Sequence, residues 1–221
     1  MTNSGTPQIV GVIFSRADLQ RALRMRNPPD LFELRLDALV RSIDAVKATI
    51  QRLPAPLIIT ARDPREGGAN DLSLSRRHAL FLEFLPRAAF VDVELRSARF
   101  LAPVLQSARA LNVRTIISFH DFRTTPPASR LDGIVSRARS LGADFVKIAT
   151  RTDTPAQLET LLDFFERQRK PGDVVAMGIG KLGPASRLEL ARRGCLLNYA
   201  HLGSVVAAGQ LSIRNLRRAL H

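Results

Sequence analysis

Ile9-Val10-Gly11-Val12-Ile13-Phe14-Ser15-Arg16 is the stretch that separates two architectures. It reads as a β-branched, apolar strand running through Phe14 into Ser15, an N-cap residue type, and then into a helical pattern over 16–26. An open, doubly wound sheet usually carries a Gly-x-Gly turn at this first junction. None is present. The same unit recurs along the chain without a break long enough for a linker. Strand-like runs at Leu31–Leu36, Leu57–Ala61, Phe90–Leu95, Thr115–Phe119, Phe145–Ala149, Val174–Met177 and Leu196–Tyr199 alternate with helical patterns at 42–52, 73–85, 98–111, 129–141, 155–169, 184–193 and 212–220. Ser73 and Thr154 stand at further N-cap positions, and Gly142, Pro171-Gly172 and Gly194 at helix ends. Eight such units imply parallel pairing through right-handed crossovers, and hence an α/β fold: a (β/α)8 TIM barrel, one domain over residues 1–221.

The chain has 221 residues, near the lower end for that fold, and 45% of them are hydrophobic, which excludes wholesale disorder. Charge breaks every long apolar run, so no membrane span is expected. Met1–Pro7 lacks the basic start and apolar stretch of a secretory signal. Cys195 is the single cysteine. It cannot form an intramolecular disulfide, which points to a reducing compartment such as the cytoplasm. Thirty-three Lys+Arg against twenty Asp+Glu leave a net charge of +13. That excess invites a nucleic-acid reading, but the basic residues are scattered from Arg16 to Arg218, with aromatics at only 5%. Pairs such as Arg76-Arg77, Arg137/Arg139 and Arg192-Arg193 fall inside helical patterns and are expected on solvated faces. No nucleic-acid partner is expected.

On a barrel, functional groups lie at the C-terminal strand ends, and polar residues inside strands are costly unless paired. Period two puts Glu33, Arg35 and Asp37 on one face. Lys147 lies between Val146 and Ile148 in a strand that lines the barrel. Desolvation and neighbouring arginines favour its neutral amine, the nucleophile that forms a Schiff base with a ketone or aldehyde. A structural ion pair with Glu33 or Glu94 is the alternative. His120, on the adjacent strand, suits a group that takes and returns a proton, and Glu66 is placed to orient its ring. His201, just past the last strand, stands at the edge of the expected site. Arg35, Arg62 and Arg187 converge on the mouth from three strands, and guanidinium forks match carboxylates. The residues therefore describe a carboxylated carbonyl compound held as an imine. Aldol cleavage and β-elimination both remain open.

Glu33-x-Arg35-x-Asp37, Thr60-x-Arg62-x-x-x-Glu66-Gly67-Gly68, Asp92-x-Glu94-Leu95, Ser118-x-His120-Asp121-Phe122, Lys147-Ile148-Ala149, Ser186-Arg187 and Gly209-Gln210 resemble, in order, the motifs of type I 3-dehydroquinate dehydratase. The series spans nearly the whole chain. The resemblance implies a (β/α)8 barrel, a homodimer, and the dehydration of 3-dehydroquinate in the shikimate pathway, with no metal or organic cofactor. It implies that Lys147 is the Schiff-base lysine, His120 the general base and acid, and Glu66 the carboxylate that orients the histidine. Arg187 would clamp the substrate carboxylate. Glu33, Arg35, Arg62 and Gln210 would hold the ring hydroxyls and close the site, under a lid at Val205–Gln210. Five positions depart from the family pattern. Val206-Ala207-Ala208-Gly209-Gln210 replaces the usual Ser-Ala-Pro-Gly-Gln, Ile179 a common methionine, Val12 a frequent serine, and Tyr199 the usual phenylalanine.

Two further readings stay open on the residues. A Schiff-base aldolase would read Gly178-x-Gly180 as a phosphate loop. A catalytically degenerate, basic barrel would bind nucleic acid or a partner instead.

Overall fold

Period-two alternation gives several strands an apolar outer face and an inner one that carries polar groups such as Glu33, Asp92, Ser118 and Lys147. In the computed structural model, which describes residues 6–168 and 173–220, eight strands form one parallel sheet. They are β1 (Gln8–Ile13), β2 (Leu31–Arg35), β3 (Leu57–Thr60), β4 (Phe90–Glu94), β5 (Arg114–Asp121), β6 (Phe145–Arg151), β7 (Val174–Ile179) and β8 (Leu197–His201). The order is β7-β6-β5-β4-β3-β2-β1-β8. The barrel is thus nearly closed, and the β7–β8 seam is the one junction without ladder hydrogen bonds among the described residues.

Around it lie α1 (Arg16–Ala22), α2 (Leu36–Leu39), α3 (Ile43–Thr49), α4 (Leu74–Phe84), α5 (Ala102–Ala110), α6 (Ala128–Ser140), α7 (Pro155–Gln168), α8 (Gly183–Arg192) and α9 (Ile213–Leu220). Ser15 caps α1 through a capping box, its Oγ accepting the Asp18 N–H and Asp18 accepting the Ser15 N–H, both at 3.1 Å. Ser73 and Thr154 accept the N–H groups of Arg76 and Gln157 in the same way. Gly142 and Gly194 follow α6 and α8 with positive φ. The Pro171-Gly172 stop lies outside the described residues. The periodic pattern expected at 42–52 is broken into α3 and a 3-10 turn, and the short α2, starting directly on β2, was not anticipated.

The hydrophobic core fills the space between sheet and helices. Phe32, Leu34, Val91, Val93, Ile117, Val146 and Ile148 face outward onto residues such as Leu80, Phe81, Leu131, Phe164 and Phe165. The inner face carries Glu33, Asp92, Glu94, Ser118 and Lys147, all buried. Charges taken out of water in this way persist only when paired and hydrogen-bonded. One expectation fails here. Arg77 of α4 is not on a solvated face but 1% exposed, donating to the Ala61 carbonyl at 2.7 Å and to Asp63 at 3.1 Å, and paired with Glu94. A helical period shows which face a residue lies on. It does not show whether a carboxylate waits there.

Candidate active site

Parallel register sets the relative heights of the two central residues. Ser118 pairs with Lys147 and His120 with Ala149, so His120 sits one side-chain layer nearer the mouth than Lys147. The Lys147 Nζ donates to Asp92 at 2.9 Å and to Glu33 at 3.4 Å, and lies 3.9 Å from the Tyr199 ring centre. Its acidic partners are therefore Glu33 and Asp92. Glu94, the other expected partner, is taken by Arg62, Arg77 and the Asp63 N–H. Arg62, the arginine that shares Asp92 with the amine, is itself paired with Asp92 and Glu94.

Arg62, past the end of β3, reaches across the barrel floor. Its guanidinium donates to both Asp92 oxygens at 3.0 and 2.9 Å, to Glu94 at 3.2 Å and to the Ser118 Oγ at 2.6 Å. Burial works against the Asp92 charge, but Arg62 and Lys147 more than offset it and hold its pKa below the carboxylate range. Arg35 forks onto Asp37 at 3.0 and 2.8 Å and donates to the Gly67 carbonyl. Asp37 also accepts the Arg62 and Ala69 N–H groups, so one carboxylate ties β2 to the loop that carries Glu66.

Glu66 ends a 3-10 turn at Pro64–Glu66. Its Oε2 lies 3.0 Å from both the backbone N–H and the Nδ1 of His120, and its Oε1 lies 3.3 Å from the Arg96 Nε. Burial first, then the charge of Glu94, raises the Glu66 pKa to about 7, against the opposing pull of Arg62 and Arg96. Burial, with Arg62 and Lys147, pushes the His120 pKa well below its usual value. His120 is thus a neutral imidazole. Donating Nδ1–H to Glu66 leaves Nε2 as the free acceptor.

Arg187 lies in α8, within the helical pattern expected at 184–193, so it reaches the mouth from a helix and not from one of three strands. It reaches the mouth at the β7–β8 seam. The Ser186 Oγ accepts the Gly178 N–H at 3.0 Å, fastening the start of α8 to β7. Arg187 donates to the Tyr199 carbonyl at 3.2 Å, while its Nε is buried without a partner. Burial lowers its pKa to about 10. Arg35 and Arg62 hold carboxylates of the protein; Arg187 has none among the described residues, which leaves a desolvated cation ready for an anion.

Gln210 accepts the Val206 N–H at 3.0 Å, folding the β8–α9 loop over the mouth. Gly209 adopts φ +82°, and a Cβ there would lie 2.7 Å from the Gly180 carbonyl, so glycine allows the loop to dock. Lys147, His120, Glu66, Glu33, Arg35, Arg62, Arg187 and Gln210 all line one cavity of about 130 Å³. Phe122, Met177, Ile179, Tyr199 and Val206 complete its apolar wall. His201 does not line it, facing instead a separate cavity with Arg21 and Arg217. Sequence reasoning missed Arg96, which carries no signal distinguishing it from a surface arginine. It also passed over Asp92 as an individual site residue, although a charge in mid-strand marked it.

A barrel whose mouth surrounds a buried amine, a neutral imidazole and a guanidinium with no carboxylate partner among the described residues defines a class: a (β/α)8 barrel suited to a small anionic substrate. A model of the type I 3-dehydroquinase family matches residues 14–221. The 3-dehydroquinate dehydratase of Thermococcus gammatolerans is 33% identical over 214 residues, covering 96% of this chain and 97% of its own. That of Thermodesulfovibrio yellowstonii is 30% identical over 191 residues, covering 85% and 82%. The type I 3-dehydroquinate dehydratase of Clostridium difficile superposes with a TM-score of 0.86 at 27% identity, covering 98% of this chain and 91% of its own. The chain belongs to the type I 3-dehydroquinase family. Its activity is that of a 3-dehydroquinate dehydratase, a lyase of the shikimate pathway. No helix among the described residues is long and apolar enough to cross a membrane.

Proposed function

We propose that the chain converts 3-dehydroquinate to 3-dehydroshikimate through a Schiff base on Lys147, with His120 as general base and then general acid. The observation that carries this reading is the pairing of a buried lysine amine with a neutral histidine one layer above it on the adjacent strand. Nζ adds to the C3 carbonyl carbon, and the carbinolamine loses its oxygen as water, leaving a protonated imine. Glu33 and Asp92, which hold the resting amine, stabilise that cation. The His120 Nε2 takes a C2 proton, and the C–H electrons move into the imine to give an enamine. The enamine then expels the C1 hydroxyl. His120 returns its proton to the departing oxygen, and water leaves. Hydrolysis of the remaining imine frees the product and the amine.

Glu66 orients His120 throughout, and Arg187 holds the substrate carboxylate. Glu33, Arg35, Arg62 and the amide N–H2 of Gln210 hold the ring hydroxyls. The phosphate-loop reading finds its donors already used: the Gly178 N–H goes to Ser186, the Gly180 N–H to the Ala208 carbonyl and the Lys181 N–H to Asp153. The assignment extends to a homodimer in the cytoplasm without a nucleic-acid partner, checked by sedimentation, fractionation and a DNA-binding titration. The decisive experiment incubates the protein with 3-dehydroquinate and borohydride and maps the product by mass spectrometry. A reduced adduct on Lys147, absent in Lys147→Ala, is expected; turnover without any such adduct would overturn the mechanism. The structure of the Clostridium difficile relative was obtained with covalently modified comenic acid.

A further inference from the structure

Phe122 follows the last residue of β5, two positions past His120, and is 41% exposed. A tight turn holds the chain there: the Asp121 Oδ1 accepts the Arg123 and Thr124 N–H groups at 2.9 and 3.1 Å. The Phe122 ring lies nearly parallel to the His120 imidazole, with 14° between their planes and 6.3 Å between their centres, within the range of offset stacking. Its tip rests on Gly67. A Cβ at that position would lie 2.8 Å from the Phe122 Cζ, so glycine is what gives the ring its seat. Arg35 donates to the Gly67 carbonyl at 3.1 Å and fixes the same residue to β2.

One ring thus lies against both halves of the Glu66–His120 pair: the imidazole itself, and the residue that follows Glu66. A single hydrogen bond at Nδ1 does not fix the tilt of the imidazole plane, and that tilt decides where Nε2 points. A flat apolar face alongside limits the tilt and keeps water from that side. Although the pair sits at the mouth, the His120 side chain is 9% exposed and that of Glu66 4%. Burial is the first cause of the low His120 pKa. Arg62, Lys147 and Arg35 act in the same direction, and Asp92 opposes them. At Glu66, burial and Glu94 act against Arg62 and Arg96.

We infer that Phe122 is a positioning residue: its ring, seated on Gly67 and stacked beside His120, sets the plane of the imidazole and keeps water off the Glu66–His120 hydrogen bond. The inference rests on the reading of His120 as general base given above. Phe122 takes no part in the bond changes and acts through the histidine. Its exposed position is where such a shield is needed, because the hydrogen bond lies one side-chain layer above the fully enclosed amine.

The test compares wild type with Phe122→Ala in steady-state kinetics and in a nuclear magnetic resonance titration of the histidine rings. The chain has four histidines, and the His120 signal is assigned by its loss in His120→Ala. Phe122→Ala is expected to lower kcat about tenfold, with KM changed by less than about twofold. Water admitted beside the ring favours the imidazolium, so the His120 titration is expected to move to higher pH. Phe122→Leu, which keeps apolar bulk but no flat face, carries the same test should Phe122→Ala lose thermal stability. Phe122 lines the cavity, and a loss confined to KM would make it a wall for the substrate and overturn the inference. An unchanged kcat, or a lowered kcat with the His120 titration unmoved, overturns it as well. Full activity in His120→Ala would sink the general-base reading and this inference together. An inactive His120→Ala beside an unaffected Phe122→Ala sinks only the role of Phe122.

Discussion

Glu66 serves two neighbours with one carboxylate. Oε2 holds His120, and Oε1 faces the Arg96 Nε at 3.3 Å. The ionised carboxylate only accepts, which holds the proton on Nδ1 and keeps Nε2 free; a protonated Glu66 accepts more weakly and can donate to Nδ1 instead, so activity is expected to fall as Glu66 takes up a proton. Its pKa of about 7 places that acid limb near neutrality. Arg96 is one of the charges pulling that value down, and removing it moves the pKa further up. Arg96→Gln is therefore expected to shift the acid limb of the kcat/KM profile to higher pH, with Arg96→Lys restoring much of it. A profile that does not move would leave Arg96 a bystander. Legibility differs sharply at this scale. Lys147 and His120 stand out in the sequence because charge in a strand run is unusual. Arg96 does not, because its role depends on a loop arriving from a distant part of the chain.

Among the elements, α4 has the most consequential contacts. It packs its apolar stripe of Leu80, Phe81 and Phe84 on the sheet, and from the same buried side sends Arg77 to Glu94, Asp63 and the Ala61 carbonyl. Glu94 in turn accepts from Arg62, which holds Asp92 beside Lys147. Arg77→Ala would take one buried partner from Glu94, which keeps Arg62 and the Asp63 N–H, and one from Asp63, which keeps Arg65. Removing one partner of a buried pair costs about 3–5 kcal/mol, which chemical denaturation would read directly; a loss below about 1 kcal/mol would show that the network rearranges without it. The strand starts were legible to within a residue because their outer faces are continuously apolar, whereas β5, β6, β7 and β8 run two residues further than the apolar pattern shows. The loops were less so. Gly209 and Gly180 meet across the mouth only after β7 and β8 have been brought together.

For the whole molecule, the charge of +13 bears on arrival rather than on fold. An anionic substrate approaching a cationic surface associates faster, and salt screens the attraction over a Debye length of about 10 Å at 0.1 M. Raising ionic strength with an inert salt is expected to lower kcat/KM while leaving kcat nearly constant. Activity flat across that range would mean that the excess charge does not steer the substrate. Arg187, the cavity arginine without a carboxylate partner among the described residues, is the group proposed to receive the anion at the end of that path, and nothing in its local sequence separates it from Arg192 or Arg193.

By itself the sequence determined the repeating strand–helix unit, the barrel, and the set of polar residues turned toward its axis, because these follow from periodicity and from the cost of placing charge within apolar runs. Its ordered motifs also marked the family. Tertiary structure alone decided which acid meets which base: Lys147 with Asp92 and Glu33, Arg77 with Glu94, and Arg187 with no acid among the described residues. The physical reason is that pairing in a low-dielectric interior depends on ångström distances between groups 17 to 114 residues apart, which local pattern does not contain.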